Sequence, residues 1–147
     1  MSHENVEIVR RYYAAWNAGG LDAARAFWSD DFEWHDAPEM PDASVYRGAE
    51  AAAAHFRDLN EVLGTMEVHV DRAVPAGDDV FVLLHVHLDA PRGGLPLDGP
   101  IFETVRIEQG KVSRIRLFLD ERAALKAAAG LVDAAESAAL IASPSAL

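Results

Sequence analysis

Hydrophobic positions along this chain change period once, and the change separates helices from strands. Over residues 5–16 the apolar side chains Val6, Val9, Tyr12, Tyr13 and Trp16 recur at helical spacing, with Glu4, Glu7 and Arg11 opposite. Gly19-Gly20 predicts the end of that helix, because glycine accepts the left-handed backbone that follows a last turn. A short second helix is expected over 21–28, burying Leu21, Ala24, Phe27 and Trp28. Residues 32–36 alternate and run into a loop at Pro38, the pattern of a strand, and 45–47 read as a brief extended return. A third helix is predicted over 48–63, with Ala49, Ala52, Ala53, Phe56, Leu59 and Leu63 as a narrow apolar stripe and Gly64 as its stop.

Beyond Gly64 the period becomes two. Strands are predicted over 66–74, 79–90, 101–108 and 111–119, with Met66, Val68, Val70 and Val74 on one side of the first. Gly77-Asp78 and Gln109-Gly110 supply the turns. Helical character resumes over 120–128 and, weakly, over 132–141; the closing S-P-S-A-L is expected to be disordered. Helices first and hairpin-linked strands after them predict an α+β fold, a curved and mainly antiparallel sheet wrapped over N-terminal helices. The aromatic helix is the element large enough to cover that sheet. One domain is expected over 1–130, with 131–147 as a helical extension and tail.

Composition narrows the function. The 147 residues are 50% hydrophobic, enough for a core, and no apolar run approaches the ~20 residues that cross a bilayer. The formal charge of −11 repels phosphate backbones and anionic lipid, which argues against nucleic-acid and membrane partners. No cysteine is present, so disulfides, thiolate metal sites and cysteine nucleophiles are excluded. The polar, acidic M-S-H-E-N start lacks a secretory pattern, and a cytoplasmic location is the expectation.

Four segments resemble the SnoaL-like branch of the nuclear transport factor 2-like superfamily: E-N-V-E-I-V-R-R-Y-Y-A-A-W-N-A-G-G-L-D-A-A, D-D-F-E-W-H-D, V-Y-R-G-A-E-A and R-I-E-Q-G-K-V-S-R-I-R-L-F-L-D. The resemblance implies a cone-shaped α+β barrel with a deep pocket, of the cystatin-like type. It implies a homodimer without an obligatory cofactor or metal. The superfamily includes ketosteroid isomerases, polyketide cyclases, epoxide hydrolases and members that only bind or assemble, so fold does not fix activity.

The resemblance places Asp36 where isomerase-like members carry a general base, and Tyr12 and Tyr13 on the helix that supplies their phenol donor. A carboxylate removing a proton beside a carbonyl, and a phenol holding the enolate oxygen, would suffice for that chemistry. The sequence assigns no second acidic oxyanion donor, and Glu103 is a guess for that place. Asp36 can equally cap its loop. Asp120 matches the acid/base aspartate of the cyclases, with His85 or His87 as polar partner, yet it also stands where it can cap the helix that follows. His85-x-His87 has metal-ligand spacing without a third ligand to complete a set. Trp16, Trp34, His35, Phe56, Phe102, Phe118 and His87 are the candidates for contact with a small apolar molecule, the expected partner. Arg114 and Arg116 are in phase, available to Glu103 or to a ligand carboxylate. Epoxide hydrolysis would need an Asp–Arg–Asp cluster, of which Arg116 and Asp120 supply part. Cofactor-free acid/base catalysis is the leading reading, and a non-catalytic binding or assembly module the alternative.

Overall fold

The computed structural model describes residues 2–64, 66–88 and 99–129. The loop around Gly93-Gly94, Asp89, the 132–141 helix and the C-terminal tail lie outside the described residues. Helix α1 (Ser2–Ala24) breaks at Gly20, whose φ of 68° and ψ of −154° are not helical, and a 3-10 turn (Arg25–Phe27) follows. The break falls where the double glycine predicts it, since no side chain resists a positive φ there. Strand β1 (Trp28–His35) leads through a loop to β2 (Val45–Arg47) and helix α2 (Ala49–Leu63). Then come β3 (Met66–Ala76), β4 (Asp79–Leu88), β5 (Gly99–Glu108), β6 (Lys111–Phe118) and helix α3 (Glu121–Ala129).

The six strands form one sheet in the order β2-β1-β6-β5-β4-β3. Every neighbouring pair is antiparallel except β1 and β6, which run parallel because helix α2 carries the chain back between β2 and β3, so that those two strands point the same way. The sheet is therefore mixed, and it stays open: β2 and β3 are its two edges rather than partners. The curved α+β layer expected from the sequence is present, and the cone-shaped barrel that the resemblance implies takes the form of a mixed sheet left open at its edges.

Regular alternation along β4 gives the sheet two distinct faces. Val80, Val82, Leu84 and Val86 point to the inner face, where they pack with Val9, Tyr12, Tyr13 and Trp16 of α1 and Ala52, Ala53 and Phe56 of α2. Phe81 points to the outer face and packs with Phe102, Phe118 and Ala124 of α3. Two departures from the sequence pattern have local causes. β1 begins at Trp28, four residues early, because Ser29, Asp30 and Asp31 carry no apolar alternation and the register shifts between Trp28 and Glu33. β3 carries a register shift between Val70 and Arg72, so Val74 faces outward beside Phe81 while Ala73 takes its place inside.

Candidate functional site

The inner face is crowded with rings. Trp28 stacks on Phe32 at 4.3 Å, and Phe56 receives Trp16 and Trp34 edge-on at 5.4 and 4.9 Å. These offset and edge-to-face geometries match the ring quadrupoles and fill the space between helices and sheet. Trp16, Trp34 and Phe56, singled out as lining, are buried members of this cluster.

One acid lies among these rings. Glu103 keeps phase with Ile101 and Val105, is 3% exposed, and accepts a hydrogen bond from the Tyr13 phenol. Burial pushes its carboxyl up to about 7, and the Tyr13 hydrogen bond offsets part of that rise. The Tyr13 phenol is raised well above its ordinary value, first by burial and then by the Glu103 charge. Tyr12, edge-on to Tyr13 at 4.8 Å, accepts from the Trp28 indole at 3.1 Å and is also raised, chiefly by burial.

Asp36 follows β1 and is in phase with Trp34, hence on the same face. Asp36 comes one residue after His35, the last paired residue of β1; it borders the same hollow as Leu117, and Leu117 pairs with Glu103. The two acids thus lie on the inner side of strands separated by β6 alone. The Asp36 side chain is 7% exposed. One oxygen accepts from the Trp34 indole at 2.9 Å, the other from the Ser44 amide at 3.1 Å, and His55 Nε2 approaches to 3.5 Å. His55 comes from α2 and stacks on Tyr46 at 4.0 Å. Burial lowers its pKa, opposed by Asp36 and Asp58.

Residues 9–115 match the sequence profile of the SnoaL-like domain, well over half of the chain. The chain belongs to the SnoaL-like domain family. Solved structures agree. Bal32a, from a soil-derived mobile gene cassette, superposes with a TM-score of 0.68 at 25% identity, covering 79% of this chain and 88% of that one. A Jannaschia Sp. CCS1 protein provisionally named a SnoaL-like polyketide cyclase does so at 0.63 and 27% identity, covering 86% and 92%. An NTF2-like protein of unknown function from Burkholderia pseudomallei K96243 reaches 0.70 at 20% identity, covering 91% and 100%, a likeness of fold. Among curated protein sequences none matches this chain.

On this SnoaL-like scaffold the sequence candidates divide by face. Asp36, Tyr13, Trp16, Trp34 and Phe56 gather on the inner side with Glu103. His85, His87, Phe102 and Phe118 belong to the outer phase of their strands, and His35 shares that phase through its pairing with Arg116. Asp120 is exposed and accepts from the Ala123 amide at 3.0 Å, capping α3. Arg114 does not meet Glu103, which is on the opposite face. It shares the buried Asp79 with Arg106, at 3.3 and 2.8 Å. Around Asp79 the cluster is therefore Arg–Asp–Arg, the reverse in charge of an epoxide hydrolase's Asp–Arg–Asp. No group of three His, Cys, Asp or Glu side chains is arranged to hold a metal among the described residues. No helix of the described residues is long and apolar enough to cross a membrane.

Sequence reasoning missed His55 and Asp79. His55 sits beside Phe56 on a helix face whose neighbours are alanine, and nothing local marks it. Asp79 carried a signal: it keeps phase with Phe81 and Leu83 at the start of a strand, where an acid without a partner would be costly.

Proposed function

We propose that this SnoaL-like protein is a cofactor-free acid/base enzyme of the isomerase or cyclase type, acting on a small, largely apolar carbonyl compound as a homodimer. Asp36 is the proton carrier, and the Tyr13–Glu103 pair receives the developing enolate oxygen. The observation that carries this reading is the pair of acids on the inner side: one held by an indole, an amide and an imidazole, the other buried and joined to a phenol. A carboxyl raised to about 7 keeps its proton in part at neutral pH and can donate it to an oxyanion while its other oxygen accepts from the Tyr13 phenol. The provisional cyclase name of the Jannaschia protein supports the same class. Asp120 is set aside as proton carrier because its carboxylate faces solvent and serves a helix end.

The test is proton transfer itself. A panel of cyclic ketones in deuterium oxide, followed by NMR, is expected to exchange α-protons faster with the wild-type protein, and Asp36→Asn is expected to remove at least about 100-fold of that acceleration. Equal exchange by wild type and Asp36→Asn would end the assignment. The second reading, a non-catalytic binding or assembly module, is favoured by the ring packing that fills the inner face. It predicts no acceleration by either protein, with the dimer still present by light scattering.

A further inference from the structure

The outer face carries more cations than the anions beside them can satisfy. Asp79 is shared by Arg106 and Arg114, and Glu33 is shared by His35 and Arg47 at 2.9 Å each. Arg116 lies in the same layer and forms neither an ion pair nor a hydrogen bond among the described residues. Its contact is with the Phe118 ring, 5.4 Å from the centroid. Burial and the neighbouring Arg114 both weaken its hold on its proton. Asp79, already shared by two other arginines, also attracts it, but a half-buried guanidinium beside Arg114 and Arg106 with no ion pair of its own is costly unless something anionic joins it.

Arg116 opens onto a hollow of about 270 Å³ at the ends of β1 and β6, walled by Pro38, Val45, Leu117 and Phe118. Asp36 also borders it, but the Asp36 oxygens are engaged by Trp34 and Ser44, with His55 alongside. We propose that this hollow is a binding site for a small carboxylic acid, with Arg116 receiving the carboxylate and the Phe118–Val45 wall receiving the apolar body. A planar carboxylate matches the guanidinium fork in a way a tetrahedral anion does not. The volume falls just below the roughly 300–1,000 Å³ of ordinary ligand sites, which limits the occupant to a compact acid. The site does not depend on the acid/base reading of Asp36 and Glu103.

Benzoate is the probe, titrated into the full-length protein while the amide resonances of Ser44, Val45, Leu117 and Phe118 are followed by NMR. Saturable shifts at these positions are expected, with benzamide, the neutral isostere, giving none. Arg116→Gln, with a dispersed amide spectrum as the check of folding, is expected to weaken benzoate about ten-fold or more. Benzamide binding as well as benzoate, unchanged affinity in Arg116→Gln, or absence of saturable shifts would overturn the proposal. Inorganic phosphate saturating the same resonances as tightly as benzoate would also overturn it, by showing a site for anions in general. The benzamide comparison stands even if the variant fails to fold.

Discussion

Among the described residues Glu103 and Asp79 are buried acids on opposite faces of the sheet, and they are accommodated in opposite ways. Glu103, on the inner face, has a neutral phenol for a partner and rings for surroundings. Asp79, on the outer face, has a fully buried side chain clasped by two guanidinium groups. Burial is nearly the same, 3% against 1% exposed, and it penalises a charge at both sites, so the difference between them lies in how far the partner offsets that cost. At Glu103 a single phenol hydrogen bond offsets only part of the cost of burying a charge, so the carboxyl becomes a proton donor near neutrality, whereas a carboxylate between two arginines is a fixed strut that ties β4 to β5 and β6. The inner acid is suited to reaction and the outer one to architecture.

Ionisation of Glu103 offers the largest expected effect. Its folded pKa, about 7, is raised above the ordinary 4.5, so the folded protein holds a proton that the unfolded chain has released between those values. The associated stability is fully present below about pH 4.5 and is lost as pH rises through 7. The difference is on the order of 3 kcal/mol. Glu103→Gln keeps an acceptor for Tyr13 and cannot ionise. From pH 5 to pH 8, urea unfolding is therefore expected to show wild type losing stability relative to the variant by that amount. Parallel pH profiles would show that Glu103 is not the desolvated acid described here. On the other face, Asp79→Asn leaves Arg106 and Arg114 without their anion. Because both arginines keep about a quarter to a third of their side-chain surface in water, the expected cost is about 2 kcal/mol, less than for a fully buried pair. A shift of the urea midpoint within error of wild type would remove the strut from the comparison.

How far the chain announced these arrangements depends on the range of the interaction. Helix faces were legible because Val9, Tyr12, Tyr13 and Trp16 repeat locally and glycines mark the stops. The inner position of Glu103 was also visible in principle, as a charged residue in phase with Ile101 and Val105. Which strand phase faces the helices was not legible, because it depends on long-range packing and on shifts in register. The shift after Val70 turned Val74 outward, and a sequence cannot show such a shift beforehand. Alternation alone leaves open which face His85, His87, Phe102 and Phe118 take, and in the structure they lie on the outer side. The family and the α+β layer were legible; closure of the sheet was not, since an edge is defined by a partner that fails to arrive.

Asp120 gives the smallest effect and the sharpest separation of roles, because it is an acid at a strand end that belongs to neither buried pair. Its Oδ2 accepts from the Ala123 amide and its carbonyl from the Ala124 amide at 3.1 Å, so it serves as the N-cap of α3. Asparagine caps a helix about as well as aspartate, whereas alanine offers no side-chain acceptor. Asp120→Ala is therefore expected to cost about 1 kcal/mol, a few degrees in thermal midpoint, and Asp120→Asn a few tenths at most. A proton carrier would behave differently: asparagine would be as damaging as alanine to α-proton exchange while leaving the thermal midpoint untouched. Loss of exchange in Asp120→Asn, measured beside Asp36→Asn, would move the chemistry from the inner side to the start of α3. Retention of exchange in both Asp120 variants, with the midpoint shifted in alanine alone, assigns this carboxylate to the helix end.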